Sequence, residues 1–166
     1  MRKLSLKQAQ KLKERAYADP DRIERIKAAN KNANAFNDQV LPILQEMLED
    51  EDLDPVIRAE AAEGFAIHLG YVDRRKRKYK MALIALLPLL RHRDPNLRFW
   101  VCFALGQMRA TPAIPELKRL AEEDDAMCRG WWLVKDEASD ALLRIEGMEP
   151  PDRVPEGWTR ADWDAR

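Results

Sequence analysis

Apolar and polar positions alternate on a helical period along this chain, and one nine-residue arrangement of them occurs three times. It reads Ile57-Arg58-Ala59-Glu60-Ala61-Ala62-Glu63-Gly64-Phe65, then Leu97-Arg98-Phe99-Trp100-Val101-Cys102-Phe103-Ala104-Leu105, then Val134-Lys135-Asp136-Glu137-Ala138-Ser139-Asp140-Ala141-Leu142. The shared pattern is apolar, basic, two variable, small apolar, two variable, small, large apolar. The phrases start at positions 57, 97 and 134, so they lie 40 and 37 residues apart. Self-similarity at that period predicts stacked helical units, each covering the apolar face that its neighbour leaves bare.

Local signals place the helix boundaries. Asp-Pro occurs at Asp19-Pro20, Asp54-Pro55 and Asp94-Pro95. An aspartate at the N-cap accepts hydrogen bonds from free backbone N–H groups, and proline fits the first helical position. The last two pairs stand just ahead of a repeated phrase, so each phrase belongs to the first helix, A, of a repeat. A second pattern marks the other helix, B: Leu41-Pro42-Ile43-Leu44, Leu87-Pro88-Leu89-Leu90 and Ile114-Pro115-Glu116-Leu117. Proline near a helix start loses no needed hydrogen bond. In the middle case the apolar run begins near Tyr79, so Pro88 is expected to kink a longer helix. Ser5 to about Ala18 reads as a further helix, with Ser5 and Gln8 as a capping box and Leu6, Ala9, Leu12 and Ala16 in one stripe.

The chain is therefore read as all-α, a short right-handed α-solenoid of helix pairs. Its expected organisation is an N-terminal helix (1–18), a repeat domain (19–147) and a Pro/Trp-containing tail (148–166). Trp158 and Trp163 in that tail are expected to cover the last repeat's apolar face, because a terminal repeat needs a cap.

Asp94-Pro95, Leu97-Arg98, Val101 and Ala104-Leu105-Gly106 carry a family resemblance. The pattern resembles HEAT repeats, most closely the short HEAT-like type of phycobilisome lyases and small bacterial proteins. It extends over roughly residues 20 to 147. It is matched less closely around Asp54 and Val134, where Trp131 stands in the place of the aspartate. The resemblance implies a packing scaffold that presents a curved face to a partner, and it assigns no activity by itself.

Within the scaffold, Ala61, Ala62, Ala104, Ala138 and Ala141 are expected to allow close helix approach. Phe65, Leu69, Leu105, Leu142 and Ile145 fill the layer between repeats. The recurring cation Arg58, Arg98 or Lys135 is expected to pair with an aspartate or a helix-end carbonyl of the next repeat.

Composition narrows the function. Lys plus Arg and Asp plus Glu number 29 each, a balance that argues against a dedicated nucleic-acid binder. The longest apolar run, Met81 to Leu90, is broken by Pro88 and is far shorter than the ~20 residues of a membrane helix. The N-terminus is polar within a few residues and does not read as a signal peptide. Cys102 and Cys128 form no motif spacing, so a reducing cytoplasm is the expected location.

The search for chemistry yields no catalytic residue, no metal ligand set and no expected cofactor. His68 and His92 are the only histidines, and His92 lies between Arg91 and Arg93, whose charge disfavours its protonation. Neither a zinc-ligand spacing nor a phosphate-cradling glycine loop is present. Cys102 reads as core and Cys128 as a thiol in a linker. The carboxylate runs Glu49 to Asp54 and Glu122 to Asp125 lie at helix ends and read as solvated.

Two features remain as candidate partner-binding sites. One is the basic run Arg74, Arg75, Lys76, Arg77, Lys78 and Lys80, costly to hold together without an opposite charge. The other is aromatic: Phe99-Trp100 and, a repeat later, Trp131-Trp132. One member of each pair is expected in the core, and the other exposed as an interface anchor.

The resulting expectation is a non-enzymatic protein-binding module, such as an immunity protein neutralising a toxin, or an adaptor or assembly factor. The alternative is a nucleic-acid binder resembling HEAT-like alkylpurine DNA glycosylases. A pigment-attaching role like that of phycobilisome lyases ranks below both. Another protein is the expected partner, ahead of nucleic acid, with no membrane involved.

Overall fold

The computed structural model describes residues 40–164, except 70–73 and 76. The expected helix at 5–18, Asp19-Pro20 and the start of the repeat domain lie outside the described residues. So do Lys76 and the side chains of His68 and Trp163.

The described chain is a short α-solenoid with no named strand. Its helices are α1 (Val40–Glu49), α2 (Pro55–Leu69), α3 (Arg77–Leu86), α4 (Pro95–Gln107), α5 (Ile114–Glu123), α6 (Val134–Glu146) and α7 (Arg160–Asp164). Short 3-10 turns at Leu87–Arg91 and Thr111–Ala113 follow α3 and lead into α5. The three repeated phrases fall in α2, α4 and α6, which stack as one layer, α4 between the other two. Helices α1, α3 and α5 make the second layer: α1 packs on α2 and α5 on α6, whereas α3 lies chiefly beside α1. From this layer α4 is met mainly by the 3-10 turn that follows α3.

The sequence explains the boundaries. At α4 the Asp94 carboxylate accepts from the backbone N–H groups of Asn96 (2.9 Å) and Leu97 (3.1 Å), with Pro95 in the first turn. At α2, Asp54 accepts from Val56 N–H at 2.9 Å in the same way. Helix α3 ends at Leu86 and Pro88 stands in the first turn of a separate 3-10 segment through Arg91, so the apolar run is broken there and is not the kinked longer helix expected. At α6 no aspartate is present and Leu133 makes no side-chain cap. Backbone bonds replace it: Val134 N–H donates to Ala126 O (2.9 Å) and Lys135 N–H to Asp124 O (3.0 Å).

The core runs through both layers. Ala61, Ala62, Ala104, Ala138 and Ala141 are buried, with Phe65, Leu69 and Leu105 between them. Leu142 and Ile145 are half-buried against the same cluster. The recurring cation does meet an aspartate or a helix-end carbonyl, but of the preceding helix or of its own repeat rather than of the next one. The buried Arg58 donates from Nε to Leu48 O at the end of α1 (2.9 Å). Arg98 holds Asp124 with two bonds (2.6 and 2.9 Å) and also donates to His92 O. Lys135 pairs with Asp125.

The tail folds back onto the last repeat, by a different route from the one predicted. Arg153 donates to Asp140 with two bonds (2.8 and 2.9 Å), and Glu156 N–H donates to Trp131 O (2.8 Å). Pro155 is buried, whereas Trp158 is 40% exposed and is not the cover. Ion-pair geometry, absent from an apolar-stripe argument, selected the strap.

Candidate binding surface

Among the described residues no group of three or more His, Cys, Asp or Glu side chains could hold a metal ion. Both cysteines are unpaired and buried. Burial pushes the Cys102 thiol well above its ordinary range and the Cys128 thiol up to about 12. Cys128 is a free thiol in the linker, and a buried one: its Sγ lies 3.5 Å from Asn96 Oδ1, which also accepts from Arg129 N–H at 2.9 Å. His92 sits below its usual value, chiefly through burial and then through Arg58. Its Nδ1 accepts from Asp94 N–H at 3.1 Å.

The predicted aromatic residues do come together. Trp100 and Trp131 stand 5.3 Å apart between ring centroids, Trp131 and Trp132 5.4 Å, and Phe99 and Trp132 5.6 Å, mostly edge to face. Phe103 adds an edge contact to Trp100 at 5.5 Å. Phe99 is buried, but Trp100, Trp131 and Trp132 are all half-buried against the core. Phe99 is thus the expected core member of its pair, but no ring is exposed as an anchor, and in the second pair both rings are half-buried. The rings join α4 to the segment before α6, and each covers its neighbour.

A buried carboxylate closes this cluster. Glu137 is fully buried and accepts from Trp132 Nε1 (3.1 Å) and Arg144 Nη1 (2.7 Å). The Arg144 guanidinium also lies over the Phe103 ring, 5.4 Å from its centroid. Burial raises the Glu137 carboxyl to about 7, against the opposing pull of Arg144. Asp140 is buried too and held by Arg153. Sequence reasoning treated both as variable positions. The signal was in the register: Phe99 and Phe103 occupy the third and seventh places of the phrase in α4, and they face the next repeat. In α6 those places are Asp136 and Asp140, an acidic pair answered by the tail's Arg153.

The basic run lies at the start of α3. Arg74 and Arg75 are exposed in the preceding turn, and Arg77 and Lys80 are exposed on the helix. Lys78 is half-buried, and Tyr79 turns inward and is buried. The outward row continues at helical spacing through Ile84, which is 72% exposed, and Pro88 to Arg91. Arg91 itself is engaged, pairing with Glu116 of α5. The acidic runs are divided: Glu49, Glu51 and Asp52 are exposed, while Asp124 is tied into the Arg98 pair.

Residues 54–133 match the family described as HEAT repeats. That stretch, just under half of the chain, is therefore similar to HEAT repeats, in keeping with the stacked helix pairs. It is narrower than the span read from the sequence, stops just before the third phrase, and does not single out the phycobilisome-lyase type. No curated protein and no solved structure shows a significant match. Among the described residues no helix is long and apolar enough to cross a membrane.

Proposed function

We propose that this stack of HEAT-type helix pairs is a non-catalytic module that binds another protein through its B-helix layer. The observation that carries the reading is the outward row of α3. Arg77, Lys80 and the highly exposed Ile84 share one face of a helix whose other face is built into the core. An isolated apolar side chain framed by cations on a rigid scaffold is the composition of a protein interface anchor. HEAT repeats commonly serve as protein-interaction modules, which supports the same role. Neutralising a toxin, or bringing other proteins together as an adaptor or assembly factor, are the specific duties we propose for it. The tryptophans at 100, 131 and 132 contribute mainly by stiffening the array, with only their outer edges available to a partner.

A second reading, nucleic-acid binding, is favoured by one observation: Arg74, Arg75, Arg77 and Lys80 are exposed together. Affinity capture from cells of the source, with and without nuclease and at low and high salt, separates the two. A stoichiometric protein that survives nuclease supports the module. Loss of all bound material on nuclease treatment, with binding that falls steeply with salt, would replace it with the phosphate-binding reading.

A further inference from the structure

We propose that the groove between α1 and α3 receives an acidic, amphipathic segment of the partner protein. This rests on the protein-binding reading above and names the chemistry of its occupant. The groove has a volume of about 640 Å³. Leu41 and Phe65 form a buried apolar floor, Pro42 and Met81 its sides, and Arg77 and Lys78 border it. No carboxylate is among its described lining residues. Lys80 and Ile84 extend the same character along α3 beyond it.

Charge selects among occupants. Residues 1–39 of this chain carry ten Lys and Arg against five Asp and Glu, a net +5, so a net-acidic segment has to come from another protein. A phosphate backbone would answer Arg77 and Lys80 and leave the apolar floor and Ile84 facing water. A segment with apolar side chains on one face and carboxylates beside them satisfies both at once. The apolar contacts then supply most of the affinity, and the cations supply orientation and encounter rate.

The test uses the full chain carrying a photo-crosslinking benzoylphenylalanine at Gln45, which lines the groove, or at the exposed Ile84, with the exposed Lys118 on α5 as control. After irradiation in the source cells, the crosslinked segments are sequenced. We expect positions 45 and 84, but not 118, to join a net-acidic segment of another protein. The double charge reversal Arg77→Glu with Lys80→Glu, both at exposed positions, should cut the yield at least tenfold without changing the melting curve. Crosslinks to a neutral or basic segment, to residues 1–39, to a second copy or to nucleic acid would overturn the proposal, as would a yield indifferent to the reversal. If the unlabelled protein captures a stoichiometric partner while positions 45 and 84 join nothing, the groove assignment falls and the protein-binding reading stands. If the unlabelled protein captures no partner at all, both fall.

Discussion

A Cβ atom placed on Gly106 would lie 2.8 Å from the Cα of Ala141. The last two A helices therefore touch almost backbone to backbone, and no side chain fits between them. Glycine inside a helix costs up to about 1 kcal/mol relative to alanine, and here close approach is what it provides.

Gly106→Ala should accordingly destabilise the protein. Overpacking at about 1–3 kcal/mol outweighs the helix-propensity gain of up to ~1 kcal/mol, leaving a net loss of roughly 1–2 kcal/mol. Urea denaturation of both proteins measures it. An unchanged or raised midpoint would mean that α4 and α6 separate at little cost.

The end of α4 makes the opposite prediction. Ala110 N–H donates to Leu105 O and Arg109 N–H to Gly106 O, each at 2.9 Å, and Arg109 takes the left-handed conformation with φ 48°. This is the turn that glycine normally closes, as Gly147 does after α6 with φ 83°. Arg109 is exposed. Arg109→Gly relieves a strain of about 1–2 kcal/mol and raises chain entropy in the unfolded state, so a net gain of up to ~1 kcal/mol is expected. Thermal unfolding at matched conditions would show it as a higher Tm, and a lower Tm would refute it.

Glu137 ties stability to pH. Its carboxyl is raised to about 7 in the folded protein, from 4.5 in its ordinary state. The native state therefore holds a proton that the unfolded chain has released between those values. The resulting stabilisation is complete below about pH 4.5 and disappears as pH rises through 7. At 1.36 kcal/mol per unit, the loss is about 3 kcal/mol. Glu137→Gln keeps an acceptor for Trp132 and cannot titrate. The stability difference between the two proteins, followed by urea midpoints from pH 4.5 to 8, should shift in favour of the glutamine variant as pH rises. Parallel curves would show that Glu137 stays ionised throughout.

The repeat and its boundaries were legible because packing and capping leave periodic marks. Asp94-Pro95, the small residues at 61, 104, 138 and 141, and Arg58, Arg98 and Lys135 stand where the spacing put them. The aromatic cluster was legible in membership but not in exposure. Which edge of Trp131 or Trp132 meets water depends on rings from another repeat, and chain spacing carries no such information. Glu137 and Asp140 were illegible for a related reason. Their burial depends on Arg144 a full two turns on and on Arg153 in a segment with no helical period. The basic run was legible as charge, while the apolar groove beside it needs α1 and α3 side by side.

The Arg153 strap yields a fourth prediction. Arg153→Ala leaves the buried Asp140 and its neighbour Asp136 without their shared cation. Removing one partner of such a pair costs about 3 kcal/mol when both are buried, and roughly 2 kcal/mol here because Arg153 keeps partial contact with water. Adding Asp140→Asn should recover much of the loss. A double-mutant cycle with no coupling between the two sites would show that the strap is held by other contacts.

That strap also covers the outer face of the last A helix among the described residues. Each A helix offers its successor a surface at the third and seventh phrase positions, and in α4 that surface is aromatic and adhesive. In α6 it is charged and already occupied by the chain's own tail. Head-to-tail association through this face of α6 would first have to displace Arg153 from Asp136 and Asp140, which works against open-ended fibres.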